Sequence, residues 1–367
     1  MALTAGIVGL PNVGKSTLFN AITKAGAEAA NYPFATIEPN VGRVEVLDVR
    51  LKRINELIRP QKTVPTTFEF TDIAGIVKGA AKGEGLGNKF LANIREVDAI
   101  VHVVRAFEDE NITHVHGRVN PLEDIETINL ELILADLESI NKRYEKAKKI
   151  AKTKDKNALF EFAILQKIKP VLEAGKAARA ITFNKEESVV VKHLFLLTIK
   201  PVIYVANVAE DQVKEAKMLD YVKQIYEFAQ TEKSEMVIIS ARAEEEIAEL
   251  DEEEEKQEFL ETLGLVKSGL NQLTNTVYRL LGLGTYFTAG KKEVRAWTFR
   301  RGMKAPQAAG IIHSDFERGF IRAQTISFAD LDKYGSYQAA KENGCLRLEG
   351  KDYIVQDGDI MEFRFNV

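Results

Sequence analysis

The sequence predicts an α/β protein: a nucleotide-binding domain built on a mostly parallel sheet, interrupted by a helical hairpin and followed by a small α+β domain. Three observations carry this prediction. Apolar runs alternate with amphipathic stretches from residue 5 to about residue 132, as parallel strands covered by helices require. A glycine-rich run, Gly9-Leu10-Pro11-Asn12-Val13-Gly14-Lys15-Ser16, joins the first apolar stretch to the first amphipathic one. From about residue 283 the pattern changes to short strands separated by turns such as Arg301-Gly302, Asn343-Gly344 and Gln356-Asp357-Gly358-Asp359.

Strands are expected over 5–9, 42–47, 66–71 and 99–104, and helices from Lys15, near Leu51, near Asn88 and near Glu123. Two further buried strands, 201–207 and 236–240, resume the same sheet after an interruption. In that interruption Ile133, Leu137, Ile140, Tyr144 and Ala147 recur at spacings of four and three, the stripe of a coiled-coil arm. Phe162, Leu165, Ile168 and Leu172 form the returning arm, and the turn between them is strongly basic, with Lys142, Arg143, Lys146, Lys148, Lys149, Lys152, Lys154 and Lys156. The domains then run over 1–282, interrupted at 138–198 by the hairpin, and over 283–367. The acidic stretch 244–258, with Ile247, Leu250 and Phe259 interspersed, reads as a solvated helix face.

Composition narrows the class of protein. Hydrophobic residues at 45% and charged residues at 28% suit well-formed cores. A formal net charge of -4 gives no global signal for nucleic acid or membrane, so any basic surface must be local. The single cysteine, Cys345, excludes an internal disulfide framework and a multi-cysteine zinc site. The N-terminus lacks the charged and long apolar regions of a secretory signal, and no stretch has the length of a membrane span. A cytoplasmic protein with no membrane partner is expected.

The glycine-rich run has the G-x-x-x-x-G-K-[ST] pattern in the context its mechanism needs, after a strand and before a helix. Gly9 and Gly14 permit a tight loop whose backbone N–H groups face phosphate oxygens, so Asn12, Val13, Gly14, Lys15, Ser16 and Thr17 are the expected phosphate-binding residues. Lys15 would reach the β and γ phosphates and Ser16 would ligate Mg2+. The strand at 66–71 ends in Asp72-Ile73-Ala74-Gly75, where Asp72 can hold Mg2+ through water and the Gly75 N–H can contact the γ phosphate. Between the two motifs, Thr36 is placed to add a second Mg2+ hydroxyl as its loop closes on a triphosphate. Directly after this second motif stands Ile76, where many related hydrolases carry a water-orienting glutamine; a hydrocarbon cannot do that work, so turnover should be slow.

Base recognition departs from the N-K-x-D pattern of GTPases. After the strand stretch 201–206 the chain reads Asn207-Val208-Ala209-Glu210. Glutamate is one methylene longer than the aspartate that accepts two bonds from guanine, and Val208 replaces the lysine. Guanine would leave buried donors unsatisfied, at about 1 to 3 kcal/mol, whereas adenine needs no such acceptor. ATP is therefore expected over GTP, with both able to bind. Ser240 and Ala241, after the last strand, close the base pocket from its other side.

Together these residues resemble the Obg-like ATPases, the YchF branch of the Obg-related GTPases, and the resemblance spans essentially the whole chain. The stretch Gly79-Ala80-Ala81-Lys82-Gly83-Glu84-Gly85-Leu86-Gly87-Asn88 looks like the Obg-type second switch, and the base motif matches the branch's N-x-x-E form. Ala305-Pro306-Gln307-Ala308-Ala309-Gly310 and Asp357-Gly358-Asp359 look like parts of a TGS domain, a β-grasp module. The resemblance implies ATP hydrolysis, ribosome association through the large subunit or the whole particle and its RNA, and a link to translation or stress; a monomer is expected. It points to the loop Asn111-Ile112-Thr113-His114-Val115-His116-Gly117, where a mobile His114 could swing toward the γ phosphate, so that His114, Lys15 and Gly75 would share the catalytic work. His116 is close enough to compete for that role, and a plain exposed loop histidine is the other reading. Relatives with asparagine at the position of Asn12 can use it to hold K+. Three other functions are compatible with a phosphate loop: an Obg-type GTPase with relaxed base specificity, a nucleotide-gated binding protein, and a small-molecule kinase. The kinase would need an arginine-rich lid that the sequence lacks.

Overall fold

The structure, a computed structural model, describes residues 3–27, 40–73, 86–152 and 155–366, of which 86–89 by their backbone alone. The chain divides into two units, one formed by Met1–Val44 with Glu69–Leu273 and the other by Glu45–Phe68 with Thr274–Val367.

The first unit holds β1 (Thr4–Val8), α1 (Lys15–Ala27) and β2 (Val41–Glu45). After the excursion of α2 (Val49–Ile58) and β3 (Lys62–Val64) into the second unit come β4 (Thr67–Asp72), α3 (Leu86–Glu96) and β5 (Ala99–Arg105). Two long helices follow, α4 (Pro121–Ala151) and α5 (Lys156–Glu173), then α6 (Lys185–Lys192). The sheet resumes with β6 (Val202–Asn207), α7 (Asp220–Thr231), β7 (Glu235–Ile239), α8 (Ala241–Ile247) and α9 (Glu253–Thr262), and α10 (Gly269–Leu280) starts in this unit and ends in the other. Its strand order is β2-β4-β1-β5-β6-β7. β1 pairs in parallel with β4 on one side and β5 on the other, so the loop after β1 leaves the sheet where the strand order changes direction. Ligands of open parallel sheets bind at such a point. β5 and β6 are buried along their whole length because helices cover both faces, which is why they read as unbroken apolar runs.

The hairpin stripe packs as its spacing requires. Ile133, Ile140 and Ala147 of α4 meet Ile164, Leu165, Ile168 and Leu172 of α5, with Leu137, Tyr144 and Phe162 against them. The Tyr144 and Phe162 rings lie 5.0 Å apart. Most of the basic residues are not in the turn, however, and only Lys152 of those described follows α4 there. Lys142 to Lys149 ride the last turns of α4, since lysine is a good helix former and its charge suits a helix C-terminus. Lys146, Lys148, Lys149 and Lys152 are exposed; Lys154 lies outside the described residues.

The acidic stretch also differs from expectation at one position. Glu244 is buried, and its carboxylate accepts from the N–H groups of Gly269 (2.6 Å) and Leu270 (3.2 Å) at the start of α10. Burial raises its pKa, yet two unsatisfied helix donors keep the carboxylate useful there.

The second unit contains α2 and β3 with β8 (Leu283–Ala289), β9 (Glu293–Arg300), α11 (Ala305–Ile312) and α12 (Ser314–Arg318). It is completed by β10 (Phe320–Ser327), α13 (Phe328–Tyr334), α14 (Tyr337–Glu342), β11 (Arg347–Glu349) and β12 (Asp359–Phe365). Its sheet runs β11-β10-β12-β8-β9-β3, with β8 and β9 an antiparallel hairpin and β12 parallel to β8. The expected boundary at 282 is therefore incomplete. Residues 45–68 belong with the C-terminal sheet because the apolar stripe of α2 needs a partner: Leu51 and Ile54 join Phe287, Val294, Ile326 and Ile360 in one buried cluster. Arg50 reaches Asp357 at 2.9 Å and Arg53 reaches Asp332 at 2.6 Å.

Candidate functional site

The loop after β1 is fixed by its backbone. Asn12 and Gly14 both have positive φ, 61° and 89°, and a Cβ on Gly14 would stand 2.1 Å from the side-chain nitrogen of Asn207. Only glycine fits there. Asn207 ties three segments together: its Nδ2 donates to the Val13 carbonyl (2.8 Å) and its Oδ1 accepts from the Ala241 N–H (2.9 Å). At the head of α1 the Lys15 ammonium donates to Asp72 Oδ1 (3.1 Å) and to the Ile73 carbonyl (2.8 Å). Ser16 is exposed on the first turn of α1. Lys15 thus brings the Asp72 carboxylate, at the end of β4, to the head of the helix that carries the Ser16 hydroxyl, and carboxylate and hydroxyl are oxygen donors of the hard kind that Mg2+ prefers.

A cavity of about 1040 Å³ opens from this loop. Leu10, Asn12, Gly14, Lys15, Ser16 and Thr17 line it together with Asn207, Val208, Ala209, Glu210, Asp211, Ala241 and Arg242 and with Phe107, Asp109 and Ile112; Asn207 and Ala241 sit against the phosphate loop itself. That exceeds the usual small-molecule pocket and leaves room for a nucleoside triphosphate. Val13 and Ser240 are buried behind the wall; the Ser240 hydroxyl caps α8 by accepting from the Ala243 N–H. Glu210 is 31% exposed and faces the guanidinium of Arg242, 3.6 Å away and itself 78% exposed.

The segment after β5 forms the cavity's side. Arg105, 1% exposed at the end of β5, donates to the carbonyls of Phe107 (3.0 Å), Ile112 (2.9 Å) and Asp109 (3.3 Å) and so holds the segment in shape. Asn12 Nδ2 donates to the Thr113 carbonyl at 3.1 Å, joining the phosphate loop to the same segment. His114 does not have the exposure expected of a mobile loop residue. It is 7% exposed, with Nε2 3.0 Å from Asp124 Oδ2 on α4. Burial raises the Asp124 pKa, and the bond to His114 opposes the shift.

Over all 367 residues, and over the whole of each relative, the chain is 65% identical to the ribosome-binding ATPase YchF of Bacillus subtilis (strain 168) and 57% identical to that of Escherichia coli O157:H7. It belongs to the YchF family. The solved structure of the Schizosaccharomyces pombe YchF GTPase matches with a TM-score of 0.90 at 40% identity, covering 99% of this chain and 97% of that one. Residues 4–136 match the family model described as a 50S ribosome-binding GTPase. Residues 283–366 match the model of the YchF GTPase C-terminal region, described as a protein of unknown function. The family places a P-loop nucleotide domain, a helical insertion and a C-terminal domain in one chain, as the sequence predicted, and P-loop nucleotide hydrolysis comes with it.

Of the expected site residues, Asn12, Gly14, Lys15, Ser16, Thr17, Asn207, Val208, Glu210 and Ala241 share one cavity wall, and Asp72 joins them through Lys15. Thr36, Gly75 and Ile76 lie outside the described residues, as does most of the stretch 79–88. Sequence reasoning missed Arg105, Asp124 and Arg242. Arg105 left a weak signal, a charge closing an otherwise apolar strand. Asp124 left none, because an acid in the first turn of a helix is ordinary dipole complementation.

Proposed function

We propose that the protein is a ribosome-associated P-loop ATPase that hydrolyses ATP in preference to GTP and acts as a slow nucleotide-dependent switch in translation or stress regulation. The observation that carries the base preference is Glu210 in the wall of the cavity where a GTPase would have aspartate, beside Val208 where lysine would stand. A glutamate, one methylene longer than aspartate, sets its carboxylate out of register with the two donors of guanine. Adenine presents no such pair, so it loses nothing.

Ser16 and Asp72, with Thr36, would hold Mg2+, which supplies charge neutralisation on the phosphates when bound. Lys15 binds the phosphates, and the Gly75 N–H contacts the γ phosphate. Asn12 commits its amide nitrogen to Thr113, which leaves the side-chain oxygen as the group a K+ ion would need. His114 assists hydrolysis after leaving its present position. The exposed lysines of α4 would neutralise ribosomal RNA phosphates, and the relatives named as ribosome-binding support that partner. The C-terminal unit, TGS-like in its turn sequences, is a second candidate contact. The protein would work in the cytoplasm as a monomer.

The second reading, a GTPase with relaxed base specificity, is favoured by the name of the fission-yeast relative. Turnover of ATP and GTP, each with and without purified ribosomes, separates the two. Faster ATP turnover that rises with ribosomes and vanishes in Lys15→Ala supports the proposal; GTP turnover equal to or above that of ATP would sink it.

A further inference from the structure

We propose that Asp124 is a positioning residue that holds His114 away from the nucleotide cavity, and that α4 couples this hold to the helical hairpin. The inference rests on the reading of His114 as the group that assists hydrolysis.

Both ring nitrogens of His114 are engaged. The backbone N–H of His116 donates to Nδ1 at 3.2 Å, so Nδ1 carries no proton and the ring proton sits on Nε2. Nε2–H then donates to Asp124 Oδ2, and the imidazole points into α4 while Asn12 and Ile112 face the cavity. A buried histidine held this way cannot touch a phosphate until the bond breaks.

The other half of the cluster is unsatisfied. Asp124 Oδ1 and His116 Nδ1 are buried, 3.7 Å apart, and neither makes a hydrogen bond. A buried carboxylate oxygen without a partner is costly and uncommon in a purely structural contact. His114, His116 and Asp124 also have the spacing of a metal-ligand set. The tautomer speaks against that use, because the proton occupies the Nε2 that an ion would take.

α4 gives the hold its handle. The helix is unbroken from Pro121 to Ala151, so Asp124 and the exposed lysines of the hairpin ride one rod. Asp136, between them, is fastened by the N–H groups of Leu197 (2.9 Å) and Thr198 (2.8 Å) and by the Thr198 hydroxyl (2.6 Å). At 1.5 Å per residue Asp124 lies about 18 Å from this fulcrum and Lys146 roughly 15 Å on its far side. A tilt of about 3° would shift Asp124 by about 1 Å, enough to break a hydrogen bond of this length.

Single-turnover ATP hydrolysis by wild type, Asp124→Asn, His114→Ala and the double variant tests this, with ATP affinity and the unfolding curve measured alongside. Asp124→Asn should raise the basal rate roughly fivefold or more, by exchanging a charged acceptor for a neutral one, and the further gain from ribosomes should shrink. In the His114→Ala background the same change should do nothing. If His114→Ala turns over like wild type, the role of His114 fails and this inference falls with it. If His114→Ala is slow but Asp124→Asn is no faster than wild type, only the hold by Asp124 is overturned. Undiminished ribosome stimulation of Asp124→Asn would overturn the coupling through α4. Histidine 15N shifts of the unmutated protein check the geometry independently of folding: an unprotonated Nδ1 and a protonated Nε2 on His114 are expected, and the opposite tautomer contradicts the proposal.

Discussion

The two ends of the nucleotide cavity are built differently. At the phosphate end, positions are set by backbone and by buried side chains: Gly14 in a conformation only glycine adopts easily, Asn207 bonded to Val13 and Ala241, and Lys15 held by Asp72 and Ile73. At the proposed base end stand side chains near solvent: Glu210 lies 3.6 Å from Arg242, which is bonded to Glu246 at 3.3 Å. On the proposed reading, affinity for a triphosphate would be built into the fold, whereas the choice of base would hang on a few exposed atoms that substitution can reach without disturbing the scaffold.

The strongest way to break this contrast is Lys15→Ala, which should weaken ATP and GTP alike by about thirtyfold or more, measured by calorimetry. A selective loss for one nucleotide would show that the lysine also reads the base. Next comes Asn207→Ala. It strands the Val13 carbonyl and the Ala241 N–H, each at about 1 to 3 kcal/mol, so urea unfolding should report a total loss of about 2 to 6 kcal/mol with both nucleotides bound less tightly. An unchanged unfolding curve would mean that the two loops do not depend on this bridge.

Smaller effects are expected at the base end. Val208→Lys combined with Glu210→Asp restores the N-K-x-D pattern and should move the GTP-to-ATP affinity ratio toward GTP by about tenfold, with the unfolding curve unmoved. If the ratio stays put, selectivity lies elsewhere in the cavity. The smallest change should come from Arg242→Ala, because an exposed ion pair contributes little; less than about threefold in ATP affinity is expected from competition binding.

The same division explains how much could be read from sequence. The phosphate loop was legible because its chemistry demands fixed residue types at fixed spacing, and the hairpin because Ile133, Ile140 and Leu165 must repeat with the helix. Three features were not, and each depends on contacts between distant segments. Residues 45–68 look like any strand-helix connection until α2 is seen packed on β8 and β9. Glu244 is one glutamate among many until its carboxylate meets the start of α10. His114 looks like a loop residue until Asp124, in the next helix, takes its proton donor. No periodicity records such pairings, since a lone polar contact leaves no pattern around it.

The central claim is that this P-loop protein prefers adenine because its base end lacks a proper acceptor for guanine. Titration of the full-length protein with ATP and with GTP, under one Mg2+ and K+ concentration, tests it most directly. The account predicts a lower Kd for ATP, by about fivefold or more; equal constants, or a lower one for GTP, would contradict it.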